Sequence, residues 1–81
     1  MSYYVYMLEC SDATLYTGIT TDISRRVKEH NSSKKGAKYT KVRRPVRLVY
    51  SETSQDRSSA SKREYVIKKL TRKEKMELID V

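Results

Sequence analysis

Tyr3-Tyr4-Val5-Tyr6-Met7-Leu8-Glu9 is the stretch that decides the fold. Successive side chains of an extended chain point to opposite faces, so Tyr4, Tyr6 and Leu8 share one face and Tyr3, Val5 and Met7 the other. A strand that is apolar on both faces belongs in the middle of a sheet, with cover on each side. Residues 2–9 are therefore read as a central strand. Working outward, Ser11-Asp12-Ala13 makes a hairpin turn, and Leu15 to Ile19 returns as a second, antiparallel strand.

Downstream, the Asp22 side chain can cap a first helix that runs to about Asn31, with Ile23 and Val27 as its buried stripe. Residues 32–44 read as a loop that ends at Pro45. Val46 to Glu52 forms a third strand, with Val46, Leu48 and Tyr50 on one face. Thr53 or Ser54 caps a second helix reaching about Leu70, whose inward side carries Ala60, Ile67 and Leu70. Thr71-Arg72-Lys73-Glu74 has the form of a capping box, in which the Thr hydroxyl and the Glu carboxylate satisfy end N–H groups reciprocally. It opens a last short helix with Met76 and Ile79, and Leu78 as a further candidate, as apolar contacts. The sum is one α+β domain over residues 1–81: a three-stranded antiparallel sheet flanked by helices, in the order β-β-α-β-α-α.

Composition bounds what such a domain can do. Eighty-one residues make one domain with a modest core. Eighteen Lys and Arg against ten Asp and Glu give a net charge of +8, which favours polyanions, nucleic acid first and anionic membrane second. No apolar run approaches the ~20 residues of a membrane span, so no membrane insertion is expected. A single cysteine, Cys10, excludes a disulfide framework. Ser2-Tyr3-Tyr4-Val5 lacks the basic and apolar regions of a secretory signal, and with the lone cysteine this makes a reducing cytoplasm the expected location. A monomer is expected, although the sequence leaves the oligomeric state open. Seven tyrosines stand without any Phe or Trp, so the aromatic content brings hydroxyls with it.

The charge is segregated. Residues 1–24 hold no Lys or Arg, whereas Arg25 to Arg47 holds ten against the single acid Glu29. Within that run, Lys34, Lys35, Lys38, Lys41, Arg43 and Arg44 are interleaved with small residues and have few acids to pair with. They are read as phosphate-contacting groups, the alternative being an ordinary solvated surface.

Five polar residues fall where chemistry could be done. Arg26 and His30 are four apart and share a helix face beside the Ile23/Val27 stripe, at the edge of the core. Tyr6 and Tyr16 lie on adjacent strands, where antiparallel pairing can set them side by side. Glu64 sits next to the Ala60/Ile67 row, where a carboxylate needs a partner or a cation. Each also has a plain structural account: a satisfied core histidine, strand-favouring tyrosines, a surface ion pair. Pattern alone leaves open whether the five converge.

Tyr4-Val5-Tyr6 and Tyr16-Thr17-Gly18 resemble the two short motifs that name the GIY-YIG nucleases. The resemblance continues through Asp22, Arg25-Arg26 and Glu29-His30 in the first helix to Glu64 in Lys62-Arg63-Glu64-Tyr65, and spans roughly residues 3–79. Ala37-Lys38-Tyr39-Thr40, Arg43-Arg44-Pro45 and Lys69-Leu70-Thr71-Arg72 are similar to small stand-alone bacterial members. The resemblance implies a metal-dependent endonuclease that hydrolyses phosphodiester bonds in DNA, with RNA as a further substrate class, in repair or recombination. It implies that Glu64 holds one Mg²⁺ or Mn²⁺ and that Tyr16 is the general base. A free phenol has a pKa of ~10, so that role needs a nearby cation. Tyr6 positions that phenol, Arg26 stabilises charge on the phosphate, and His30 relays a proton or orients Tyr16. Gly18 allows close backbone approach, and no small-molecule cofactor is implied. Three departures stand out: Tyr4 replaces the Gly of the first motif, Ile19 stands where some repair members have a lysine, and the late asparagine of some members has no match, Asn31 being the only asparagine and lying elsewhere. The alternative is a nucleic-acid-binding module with weak or no catalysis; an adaptor for an acidic protein or membrane surface ranks last.

Overall fold

The computed structural model describes residues 2–80; the two end residues of the expected 1–81 domain lie outside the described residues. The elements are β1 (Tyr3–Glu9), β2 (Leu15–Thr20), α1 (Ile23–Ser32), α2 (Lys38–Lys41), β3 (Arg47–Ser54), α3 (Arg57–Lys69) and α4 (Arg72–Ile79). The strands form one antiparallel sheet in the order β2-β1-β3. The doubly apolar strand is thus central, as its pattern requires. Among the described residues no helix is long and apolar enough to cross a membrane.

β1 feeds two separate cores. On one face Tyr6 and Leu8 pack with Cys10 and Val46, closed by Tyr16 and by Val27 of α1. On the other, Val5 and Met7 pack with Ala60 and Ile67 of α3, and Leu78 and Ile79 of α4 close the edge. Each helix therefore buries a narrow stripe on one sheet face, which is what makes such short helices hold.

The caps show how local chemistry sets the boundaries. Asp22 accepts from the Arg25 amide and starts α1. Thr71 and Glu74 form the expected reciprocal capping box of α4. The α3 cap differs from the expectation of Thr53 or Ser54. Strand β3 runs on to Ser54, and Asp56 accepts from the Ser59 amide at 2.8 Å. Pairing with β1 keeps Thr53 and Ser54 extended, and the carboxylate two residues later takes the cap.

β3 also departs from simple alternation. Its register against β1 shifts between Met7 and Leu8, so Met7 faces Tyr50 while Leu8 faces Leu48. The bulge inserts Val49 and puts Leu48 and Tyr50 on opposite faces. Val49 and Tyr50 pack on the Val5/Met7 core, whereas Leu48 stays 41% exposed.

The stretch expected to be a loop, 32–44, is more ordered than its charge suggests. It contains the single turn α2, and Gly36 and Thr40 inside it are buried. A Cβ at Gly36 would lie 2.7 Å from the Glu29 carbonyl oxygen and 2.9 Å from the His30 Cα. This segment is folded tightly under the end of α1, and only a glycine fits.

Candidate active site

The Tyr6 face of the sheet carries a connected set of polar groups rather than a plain apolar core. Tyr6, on β1, pairs across the sheet with Gly18 of β2. A Cβ at Gly18 would fall 2.7 Å from the Tyr6 hydroxyl oxygen and 2.9 Å from its Cζ. Gly18 is thus required by the Tyr6 ring lying across it, a side-chain fit rather than a backbone approach. Leu8 and Tyr16 form the next pair along, so Tyr16 stands beside Tyr6 on the same face. Their ring centroids are 6.5 Å apart.

His30 joins them from α1. Pattern reading put it at the edge of the core; it is fully buried. Its Nε2 lies 2.8 Å from the Tyr6 hydroxyl, and its Nδ1 lies 2.8 Å from the Thr40 hydroxyl. The Tyr16 ring meets the imidazole edge-on at 5.2 Å between centroids. Burial, then the charges of Arg26 and Arg44, depress the His30 pKa to about 4 against the opposing pull of Glu29, so the ring is neutral at pH 7. Burial and the neighbouring Tyr16 push the Tyr6 phenol up to about 12, while the Arg26 guanidinium beside it pulls the other way. Tyr6 therefore keeps its proton. Tyr16, only half-buried, is the tyrosine of the pair that solvent can reach.

Arg26 is held in place by Glu29 Oε1 at 2.9 Å and by the Lys35 carbonyl at 2.8 Å, both accepting from Nη1. It lines an open cleft of about 370 Å³ with Thr20, Thr21, Arg25 and Arg57 among its other walls. Glu64 comes from α3; its charge is the smallest of the influences that raise the Tyr6 phenol, and no hydrogen bond or ion pair among the described residues joins it to Tyr6, Tyr16, Arg26 or His30. Its carboxylate pairs with Lys68 one turn on, at 3.4 Å. The helix that carries it is fixed to the sheet because Arg63 donates to Glu52 at 2.9 Å, while the Tyr50 hydroxyl donates to the same carboxylate.

The basic run divides into two classes. Lys34, Lys35, Lys38 and Lys41 are exposed, and none of them forms a salt bridge with a described residue. Arg43 and Arg44, placed with them on sequence grounds, are held by the protein itself. Arg44 donates to the carbonyls of His30 at 2.5 Å and Ser33 at 2.6 Å, closing the C-terminal end of α1. Arg43 donates to Asp12 at 3.1 Å and to the Tyr39 carbonyl at 2.9 Å. Its guanidinium carbon lies 3.8 Å from the Tyr39 ring centroid. Tyr39 in turn stacks on Tyr16 at 6.0 Å and 25°. Arg43 and Tyr16 thus both lie against the Tyr39 ring, which stays 38% exposed.

Three residues of this site escaped the pattern reading. Tyr39 and Thr40 fell within the expected 32–44 loop, and Asn31 at the expected end of the first helix. Asn31 instead lies within α1, and its amide bonds both backbone groups of Val46, at 2.7 and 2.9 Å, as a strand neighbour would. The small residues flanking Lys38 and Tyr39 were the only local sign that this basic segment packs closely.

The paired tyrosines, the α1 arginine and histidine, and the α3 glutamate agree with a family match over most of the chain. The family model described as the GIY-YIG catalytic domain matches residues 2–77. This chain belongs to the GIY-YIG family. A UPF0213 protein of Desulfotalea psychrophila is 62% identical over 78 residues, covering 96% of this chain and 71% of the relative. A UPF0213 protein of Staphylococcus aureus is 55% identical, covering 96% and 94%. The solution NMR structure of a UPF0213 protein from Bacillus halodurans superposes with a TM-score of 0.62 at 48% identity, covering 99% of this chain and 84% of that one. An E. faecalis protein solved by NMR gives 0.67 at 45% identity, with the same coverages. The GIY-YIG domain is thus a small α+β unit of nuclease type, and its relatives are small bacterial proteins.

Proposed function

We propose that this GIY-YIG domain is a divalent-metal-dependent endonuclease that cuts DNA as a cytoplasmic monomer, with repair or recombination intermediates among its substrates. The observation that carries this reading is the meeting of Tyr6, Tyr16, His30 and Arg26 on one sheet face.

The donor set suits a lightly held cation. Among the described residues no three His, Cys, Asp or Glu side chains cluster as a metal cage. Glu64 is a lone carboxylate, 23% exposed. Mg²⁺ and Mn²⁺ accept such sites because they keep several waters and add phosphate oxygens. When bound at Glu64, the cation would supply Lewis-acid polarisation and a more acidic water.

The remaining steps belong to the chain. Tyr16, beside Tyr39 and edge-on to His30, gives its own proton to solvent and, as the phenolate, takes the proton of the attacking water. Tyr6 keeps its own proton and serves as a hydrogen-bond donor beside Tyr16. Arg26, fixed by Glu29 and the Lys35 carbonyl, offers its remaining N–H groups to the phosphate. Lys34, Lys35, Lys38 and Lys41 hold the flanking backbone by charge.

The test is cleavage of plain duplex, branched DNA and RNA with Mg²⁺ or Mn²⁺. Wild type is expected to nick DNA, and Glu64→Ala and Tyr16→Phe are each expected to lose at least about a hundredfold in rate. Equal cleavage by wild type and both variants would overturn the reading. A second reading, a binding module with little catalysis, draws on the Glu64–Lys68 pair, which occupies the carboxylate. It predicts salt-sensitive DNA binding with no metal-dependent cutting, even in Lys68→Ala.

A further inference from the structure

The hydrogen-bond geometry around His30 points to a specific proton arrangement, set by α2, that makes the Tyr6 hydroxyl a fixed donor into the site. We infer that Thr40 and the Ala37 amide hold the imidazole as the Nε2–H tautomer, which donates to the Tyr6 oxygen and turns the Tyr6 proton outward. Thr40 is then a positioning residue for the active site.

A neutral imidazole has one N–H and one lone pair, so its two nitrogens cannot play the same part. Nδ1 has two neighbours: the Thr40 hydroxyl at 2.8 Å and the Ala37 amide at 3.3 Å. The Ala37 N–H points at Nδ1 and can only donate, so it requires a lone pair there. If Nδ1 carried the proton instead, two N–H groups would face each other in a buried space. The Thr40 hydroxyl has a choice, because the Ala37 carbonyl also lies 2.9 Å from it. That carbonyl already accepts from the amides of Thr40 and Lys41, both at 3.1 Å, and does not need the hydroxyl. Thr40 therefore donates to Nδ1, and both donors of the α1–α2 segment converge on one nitrogen.

The proton must then sit on Nε2, 2.8 Å from the Tyr6 oxygen. A phenol that accepts on one side of its C–O bond carries its own hydrogen on the other, in the plane of the ring. The Tyr6 hydrogen is thus directed away from His30. An anion in the site, whether a phosphate oxygen or Tyr16 after it gives up its proton, meets an O–H there. With the opposite tautomer, Tyr6 would spend its hydrogen on Nε2 and present only lone pairs to that anion. The burial that keeps Tyr6 protonated and His30 neutral makes the arrangement stable near neutrality.

The tautomer itself needs no nuclease activity; its catalytic consequence rests on the nuclease reading. His30 is the only histidine in the chain, so its ring nitrogens are unambiguous in a long-range ¹H–¹⁵N correlation spectrum. At pH 7 the wild type is expected to show a protonated Nε2 and a bare Nδ1. A protonated Nδ1 would overturn the inference without any mutation. Thr40→Val keeps the volume and removes the hydroxyl, leaving only the longer amide contact on Nδ1. With one of its two donors gone, Nδ1 is expected to keep its lone pair but to shift its ¹⁵N resonance toward that of an unbonded imidazole nitrogen, and the less firmly held ring is expected to lower kcat about tenfold with little change in KM. Thr40→Ser is expected to restore both. If Thr40→Val left the spectrum and kcat unchanged, Thr40 would have no positioning role. A wild type with the expected spectrum but no cleavage of any nucleic acid would overturn the nuclease reading and leave the tautomer standing.

Discussion

The two faces of this sheet are made from the same strand and solve different problems. Val5 and Met7 enter a core of aliphatic side chains from α3 and α4. Tyr6 enters a network that runs from its hydroxyl through His30 to Thr40. Burial alone does not distinguish them, since Tyr6, Met7 and His30 are all at most 1% exposed. The difference lies in what burial costs. On the aliphatic face it removes apolar surface from water and stabilises the fold outright. On the tyrosine face every buried polar atom must find a partner, so stability is traded for fixed orientation.

The largest expected effect is therefore on the aliphatic side. Ile67→Ala deletes a fully buried side chain between α3 and the sheet. It is expected to cost about 2–5 kcal/mol, a large share of the total stability of a domain this size. Chemical denaturation measures it. Tyr6→Phe, on the opposite face, is expected to cost less than Ile67→Ala. Equal losses would show that the tyrosine face carries as much of the fold.

The next effect is a pH dependence that only the tyrosine face has. The His30 pKa is about 4 in the fold, below the ordinary ~6.5 of the unfolded chain. Between these values the unfolded chain binds a proton that the folded chain refuses. Stability is then complete above about pH 6.5 and falls as the pH drops toward 4, by about 3 kcal/mol in all. Roughly 2 kcal/mol of this goes between pH 7 and 5, before the depressed carboxyls of Asp12, Glu29 and Asp56 begin to matter. Denaturation midpoints across that range should fall for wild type and stay nearly level for His30→Gln. Matching slopes in the two proteins would locate the titration elsewhere.

The two faces were not equally legible in the sequence. The doubly apolar run from Tyr3 to Glu9, the Asp22 cap and the Thr71/Glu74 box are local, so pattern placed them correctly. The bulge at Val49 is not local. It exists only in the pairing with β1, and no alternation rule within β3 could place Leu48 and Tyr50 on opposite faces. The five candidate residues come from β1, β2, α1 and α3, so whether they meet depends on the whole topology. Periodicity singled them out but left their convergence open, and only the family resemblance gave them roles. The basic segment was read from its charge, which hid its structural work. Gly36 and Thr40 are buried among exposed lysines, and Arg44 serves the end of α1. Net charge says where a segment is solvated on average, not which of its small residues make the contacts.

Gly18→Ala sharpens the comparison at the seam between motif and site. The new methyl would press on the Tyr6 hydroxyl, which is the far end of a ring already anchored by His30. The ring cannot move without breaking that bond, so the expected cost is about 1–3 kcal/mol. A disturbed His30 ring environment by NMR should accompany it. A stability loss with an unchanged His30 signal would mean that the backbone of β2, rather than Tyr6, had yielded.

The smallest effect has the opposite sign and bears most directly on the contrast between the faces. Thr17 and Thr40 are both buried threonines, at 3% and 0% exposure. Thr40 lies on the tyrosine side with its hydroxyl engaged by His30. Thr17 pairs with Met7 on the aliphatic face, and its Oγ1 has no hydrogen-bond partner among the described residues. Replacing a satisfied hydroxyl by methyl strands its partner, whereas replacing an orphaned one relieves a desolvation cost. Thr17→Val is therefore expected to stabilise the domain by about 1 kcal/mol, and Thr40→Val to destabilise it by a similar amount. Thermal midpoints of the two variants should move apart from wild type in opposite directions. If both fell, the Thr17 hydroxyl would have a partner such as a bound water, and the aliphatic face would be less purely apolar than its residues imply.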